Sequence, residues 1–289
     1  MKAEDIKFFL RKHGNGGAKF EQIIRKTGII NFRNTIMMNN DYKKYKRGEL
    51  SFEFSKVYEE HKAEFNKVYS LLEDEFSKET YKAVISFRKT HNITKIRRVN
   101  VQPQYFLKEI VPPFEDEVFV DGGGYDGATS KGFVEKYAEG SNYQLYVWEC
   151  DAENIKTIKK NLSGLNYEII PYAMWEKHEN LRFDQQGSSL SMVSEYGNEF
   201  VEANSIDIVH KRKKISFIKM DIEGSEIEAL HGARNTIMNQ KPKLAISIYH
   251  RDDHLYRIPL LIKEMVPEYR IYIRHHSDLS SETVLYAVI

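Results

Sequence analysis

VFVDGGGYDGATS, Val118 to Ser130, is the stretch whose reading decides how this 289-residue chain folds. Val118, Phe119 and Val120 have the β-branched and aromatic makeup of a buried strand. Asp121 ends that strand, three glycines follow, and a helix opens near Ala128. Glycine at such a turn permits positive φ and lets a ligand come close to the backbone. Gly122, Gly124 and Gly127 fit G-x-G-x-x-G, with Glu149 following 22 residues later. That spacing also suits a dinucleotide, so the loop alone does not choose its ligand. Asp121 tilts the choice. A carboxylate at the strand tip would repel a pyrophosphate, whereas a cationic amino-acid ligand with an ammonium and a sulfonium favours it.

Outward from this loop, short apolar runs alternate with helical stretches. The runs are EVFVDGG, YQLYVWEC, YEIIPYAMW, ISFIKMDIE, KLAISIYH, YRIYIRHH and ETVLYAVI. Between them lie ATSKGFVEKYAEG, AENIKTIKKNL, SEIEALHGARNTIM and HLYRIPLLIKEM. Strand–helix alternation predicts a doubly wound α/β fold with a mostly parallel sheet. The last two strands are joined by a few residues, too few for a crossover helix, so they should pair antiparallel. A mostly parallel seven-stranded sheet ending in an antiparallel C-terminal strand resembles the Rossmann-like fold of class I methyltransferases.

Upstream, to about residue 112, the pattern is helical. Phe54, Val57, Tyr58, His61, Phe65, Val68, Tyr69, Leu72 and Phe76 recur every three or four residues with Lys and Glu between them. Tyr81 to Lys89 continues as a further helix. Gly14, Gly16 and Gly17 lack the Lys-Ser/Thr of a phosphate loop and read as a helix-to-helix turn. Pro112-Pro113 punctuates the chain. The expected division is a helical region, 1–112, and a catalytic domain, 113–289.

Strand tips supply the candidate site. Asp121 and the loop residues Gly122, Gly123, Tyr125, Asp126 and Thr129 are the expected cofactor wall, with Glu149 at the second strand end placed to accept from ribose hydroxyls. Cys150 adjoins it, more readily a buried thiol than a nucleophile. Ala173, Met174 and Trp175 offer an adenine wall, although Trp175 reads equally as a core aromatic. Asp221 and His250 end two further strands on the same edge of the sheet, where ligands bind in such folds.

FIKMDIEGSEIEALHGA, Phe217 to Ala233, strongly resembles the signature of the FkbM family of methyltransferases. DGGGYDGATS, the strand-end Glu149, GSSLS (Gly187 to Ser191), SIYHRDDHLYRIPL (Ser247 to Leu260), RHHS and ETVLYAV are similar to further family blocks in order, from about Gln104 to Ile289. The resemblance implies S-adenosylmethionine as cofactor and O-methylation of a hydroxyl on a sugar, glycan precursor or related small molecule. His250 is then the leading base, since imidazole titrates near neutrality, with a structural histidine as the plainer reading. Asp221 is expected to face the pocket; Glu223 either pairs with it or caps the next helix. Asp253 and His276 complete the catalytic candidates, and Ser189 is a loop group near cofactor or acceptor. With Asp252, His254 and His275 these residues make a hard-ligand set, but no tight ligand spacing is present, so a divalent metal is left open and not expected.

Composition limits the alternatives. Lys+Arg (43) and Asp+Glu (42) nearly cancel, so nothing points to nucleic acid. The basic run His210 to Lys214 reads as a solvated turn. One cysteine precludes an internal disulfide. No apolar run is long enough for a bilayer, and the first residues lack a signal peptide's apolar centre, so the expected location is cytoplasmic. The rivals are an NAD(P)-dependent oxidoreductase using the same loop, and a methyltransferase-like module that binds without turnover. The N-terminal helices offer substrate selection, a lid or a homodimer face.

Overall fold

The computed structural model describes residues 29–184, 192–193 and 199–289. The Gly14–Gly17 turn and the Ser188–Ser189 loop lie outside them. The N-terminal region folds as α1 (Ile29–Lys46), α2 (Phe54–Glu60), α3 (Lys62–Leu71), α4 (Glu75–Thr90) and α5 (Ile93–Arg98). The apolar stripe is realised in three pieces: the helix breaks at His61 and again at Leu72, which takes extended backbone and bridges to Ile271. Asp74 restarts it, its carboxylate accepting the Ser77 N–H at 2.7 Å as an N-cap.

The C-terminal region begins with β1 (Asp116–Gly122). There follow α6 (Ala128–Gly132), which runs into a π-turn over Phe133–Tyr137, then β2 (Asn142–Trp148), α7 (Ala152–Asn161) and β3 (Tyr167–Ile170). An insertion of short strands comes next: β4 (Ala173–Met174), β5 (Glu179–Asp184), β6 (Met192–Val193) and β7 (Glu199–Asn204), closed by α8 (Ile206–Val209). The chain ends with β8 (Phe217–Met220), α9 (Glu226–Gly232), α10 (Arg234–Gln240), β9 (Lys243–Ser247), α11 (His254–Met265), β10 (Arg270–His275) and β11 (Thr283–Val288).

The main sheet has seven strands in the order β10-β11-β9-β8-β1-β2-β3. All described pairings are parallel except those of β11, which runs antiparallel to β9 and β10. The sheet and its antiparallel final strand are as expected. Side chains alternate between two cores, as a pleated strand requires. Val120, Ile218, Leu244, Ile246, Leu285 and Ala287 join one core with α9 to α11 and the N-terminal helices. Phe119, Phe217, Ala245, Val284 and Tyr286 join the other with Tyr105–Val111 and α7.

One strand reading is corrected. YEIIPYAMW is not a single strand: β3 stops at Ile170, Pro171 has no N–H for a ladder, and Ala173–Met174 pairs instead with Ala203–Asn204 in a second sheet ordered β4-β7-β5-β6.

Candidate active site

The glycine loop is bound from below by an ion pair that the strand register creates. Asp121 and Lys219 are direct partners across β1 and β8, so both side chains leave the same face. Both are buried, with Lys219 Nζ 2.9 Å from Asp121 Oδ1. Lys219 also donates to the carbonyls of Gly122 and Gly123, and Ser130 donates to Asp121 Oδ2 at 2.6 Å. Burial alone would lower the Lys219 pKa; Asp121 and Asp221 outweigh it and hold the group above its ordinary value. Asp121 therefore does not present a free carboxylate to a ligand's ammonium, as the sequence led us to expect. Its oxygens are taken up in ordering the loop.

Above this pair the loop is closely fitted. Gly123 has φ +79° and an added Cβ would lie 2.0 Å from the Asp221 carbonyl oxygen, so the tips of β1 and β8 touch through backbone. Tyr125 is exposed, with φ +48°, and its N–H donates to Glu149 Oε2 at 2.9 Å. Glu149 Oε1 accepts the Asp151 N–H at 2.8 Å. Glu149 thus ties the loop to the tip of β2, while each carboxylate oxygen keeps further acceptor capacity. Burial raises its pKa. Asp126 accepts the Ala128 N–H and opens α6, on whose first turn Thr129 stands half-buried. The Cys150 thiol is pushed up to about 12 by burial, which removes it as a nucleophile. Met174 packs over Gly122, and Ala173 is buried beside it. Trp175 is half-buried and donates from its indole to Glu179 at 2.8 Å.

Past the tips of β8 and β9, polar groups converge. Asp221 Oδ2 accepts from the Tyr105 hydroxyl at 2.7 Å, and Oδ1 from that of Tyr249 at 3.1 Å. His250 Nε2 lies 3.4 Å from Asp221 Oδ1 and 3.5 Å from Glu223 Oε2. Its Nδ1 is 2.8 Å from Glu226 Oε1 but lacks the alignment of a directed hydrogen bond. Fully buried Glu226 also faces His254 Nδ1 at 3.3 Å. Burial works against the charge of both groups, yet Glu226 holds the His250 pKa above its ordinary value and is itself held well below the carboxylate range. Burial, and then the neighbouring carboxylates against the opposing pull of His250, push Glu223 up to about 7. Tyr105, Glu223 and Glu282, which surround this cluster, all have positive φ without being glycine. Such strain gathers where a site over-determines its residues.

His250 is thus no isolated base: Asp221, Glu223 and Glu226 surround its ring, and Glu226 holds its pKa above the ordinary value against the effect of burial. Asp253 and His276 do not reach the cluster. Asp253 stands at the start of α11, paired with Arg257 at 2.8 Å and Arg251 at 3.4 Å. His276 is buried, and burial lowers its pKa to about 4. Its Nδ1 faces the Val101 carbonyl at 2.7 Å and its Nε2 the Tyr286 hydroxyl at 2.8 Å. His275 is spent on Thr283, and Asp252 on Arg88.

Sequence reading missed Lys219, Glu226, Glu282, Tyr105 and Tyr249. Only Lys219 and Glu226 carried a signal: a lysine within an otherwise apolar strand, and a glutamate on the buried face of the following helix.

The methyltransferase FkbM domain matches residues 123–278, more than half of the chain. No curated protein matches it. The crystal structure of Methyltransferase FkbM from Methylobacillus flagellatus KT is 27% identical, with a TM-score of 0.70 over 80% of this chain and 60% of that one. The chain thus spans less than two thirds of that relative. A SAM dependent methyltransferase from Aquifex aeolicus is 15% identical (TM-score 0.37, 63% of this chain and 86% of that one). A TehB-like SAM-dependent methyltransferase from Corynebacterium glutamicum is 13% identical (TM-score 0.34, 62% and 83%). With the β8 block and most of its glycine loop inside the matched residues, this chain belongs to the FkbM methyltransferase family.

Proposed function

We propose that the protein transfers a methyl group from S-adenosylmethionine to a hydroxyl oxygen of a sugar, glycan precursor or related polyol. The observation that carries this is the backbone contact between Gly123 and Asp221. It sets the glycine loop directly beside the Asp221–Glu223–His250 cluster, on one sheet edge. S-adenosylmethionine, when bound, supplies an electrophilic methyl on a sulfonium. The residues for it are the loop Gly122–Thr129, Glu149 for ribose hydroxyls, and Met174 with Ala173 against the adenine. Ser189 is kept as a further candidate in its loop. Asp121 and Lys219 hold the loop from beneath.

An acceptor hydroxyl would lie against the carboxylates of Asp221 and Glu223, which orient it and receive its proton. Carboxylates and tyrosine hydroxyls suit a polyol better than an apolar acceptor. The N-terminal region contributes to that side: Tyr105 reaches Asp221, while Arg88 of α4 donates to the Tyr249 carbonyl and to Asp252. We assign this region to acceptor selection. The test is tritiated methyl transfer from S-adenosylmethionine to a panel of sugars and nucleotide sugars. Incorporation abolished by Asp221→Asn supports the reading; methylation of amines alone would refute the oxygen acceptor.

A further inference from the structure

The buried polar groups behind the acceptor face are unevenly satisfied, and the unevenness has a place. Among the described residues, both ring nitrogens of His250 and Glu226 Oε2 are buried without a directed hydrogen bond, facing only ion-pair neighbours at 2.8–3.5 Å. Native structures leave few such groups, and each calls for a cause. Only 7% of the His250 side chain is exposed, and it is aimed into a ring of carboxylates. Asp221, Glu226 and His250 each offer one ligand atom, all within 4.8 Å of one another. Glu223 Oε2 adds a fourth donor 3.5 Å from Nε2.

Donors that share a cation at about 2.0–2.2 Å stand within roughly 4.4 Å of one another, and the His250 ring lies 2.8–3.5 Å from the Asp221, Glu223 and Glu226 oxygens. Three carboxyl groups, those of Asp221, Glu223 and Glu226, surround this one imidazole ring. Lys219, the nearby ammonium, is already committed to Asp121. The opposite end of the sheet shows the contrast. There Glu117 takes Lys243 at 2.7 Å and Ser216 at 2.5 Å, and Lys243 also donates to Tyr137 and the Pro112 carbonyl. That buried pair is complete and leaves nothing for a ligand.

We infer that Asp221, Glu226 and His250, flanked by Glu223, bind a divalent first-row cation of the Mn²⁺ or Zn²⁺ class. One nitrogen among oxygens suits such ions better than Ca²⁺. The side chains of Asp221 and Glu223 are 22% and 23% exposed, so the site opens toward the acceptor face. Resting on the proposed methyl transfer, the cation would bind the acceptor oxygen and ease loss of its proton.

The experiment is Mn²⁺ titration of chelator-treated full-length protein, followed by electron paramagnetic resonance, with ¹⁵N-histidine labelling and Zn²⁺ competition. We expect one Mn²⁺ per chain, displaced by Zn²⁺, with nitrogen hyperfine coupling from a histidine. Asp221→Asn should weaken it at least tenfold and Asp253→Asn should leave it unchanged; circular dichroism melting checks that each variant is folded. Absence of Mn²⁺ and Zn²⁺ binding, or binding with no nitrogen coupling, overturns the inference whatever the variants do. S-adenosylmethionine binding is measured in parallel. Cofactor binding without cation binding removes the metal and keeps the methyltransferase; the reverse removes the proposed reaction and keeps the site.

Discussion

At Gly123 two requirements meet in one residue. Its φ of +79° favours glycine, and its α-carbon faces the Asp221 carbonyl without room for a Cβ. Gly123→Ala must separate the tips of β1 and β8, at a cost on the order of 2–4 kcal/mol. Urea denaturation should show that loss together with loss of S-adenosylmethionine binding; a variant as stable as wild type would mean that the tips do not touch. Lys219→Met tests the ion pair below. It strands the buried Asp121 carboxylate, which typically destabilises by about 3–5 kcal/mol, and the double variant Lys219→Met/Asp121→Asn should recover part of that. Glu149→Ala leaves the Tyr125 and Asp151 N–H groups without their acceptor. Cofactor affinity by calorimetry should fall at least tenfold, and an unchanged affinity would exclude Glu149 from the site. The type of residue at each strand tip was legible in the sequence; what it touches was not. Asp121 meets Lys219 only because β1 and β8 pair in one register, 98 residues apart in the chain.

Among elements, short apolar, β-branched and aromatic runs made the strands of the main sheet readable, and the short final connection fixed the direction of β11. The second sheet was not readable. β4 and β6 have two residues each, and ENLRFD and EFVEAN carry too much charge to mark themselves as strands. The elements also set an acid limit. His210, which accepts from the Trp148 indole at 3.1 Å, and His275 and His276 around the end of β10 each have a pKa lowered to about 4, chiefly by burial. Unfolded, each would take a proton near 6.5. Their contribution is fully present above that pH and is lost as pH falls toward 4, by up to ~1.4 kcal/mol per pH unit for each group. Stability measured by denaturant from pH 7 to 4.5 should drop steeply. His210→Gln, which keeps an acceptor for the indole, should reduce the slope by up to ~1.4 kcal/mol per pH unit; an unaltered slope would show that His210 charges in the folded state.

For the whole molecule, the N-terminal helices and the sheet share one core. Phe65, Val68, Tyr81, Val84 and Phe87 pack in the same cluster as Ile271, Ile273 and Leu285. Arg274 of β10 reaches Asp74 at 2.6 Å. A chain beginning at Val101 would keep Tyr105 but bare this face, and it should aggregate or melt well below full length; a soluble, cooperatively folding fragment would contradict that. No helix among the described residues is long and apolar enough to cross a membrane. Helices were foreseeable here from their stripes, but not their contact with β10, which joins residues some 200 positions apart. The most direct test of the whole is thermal unfolding with S-adenosylmethionine, S-adenosylhomocysteine, NAD and NADP. The two sulfur nucleosides alone should stabilise, by ~2.7 kcal/mol at about 100 times their dissociation constant, and Glu149→Ala should abolish the effect. Stabilisation by NAD or NADP alone would contradict the methyltransferase site.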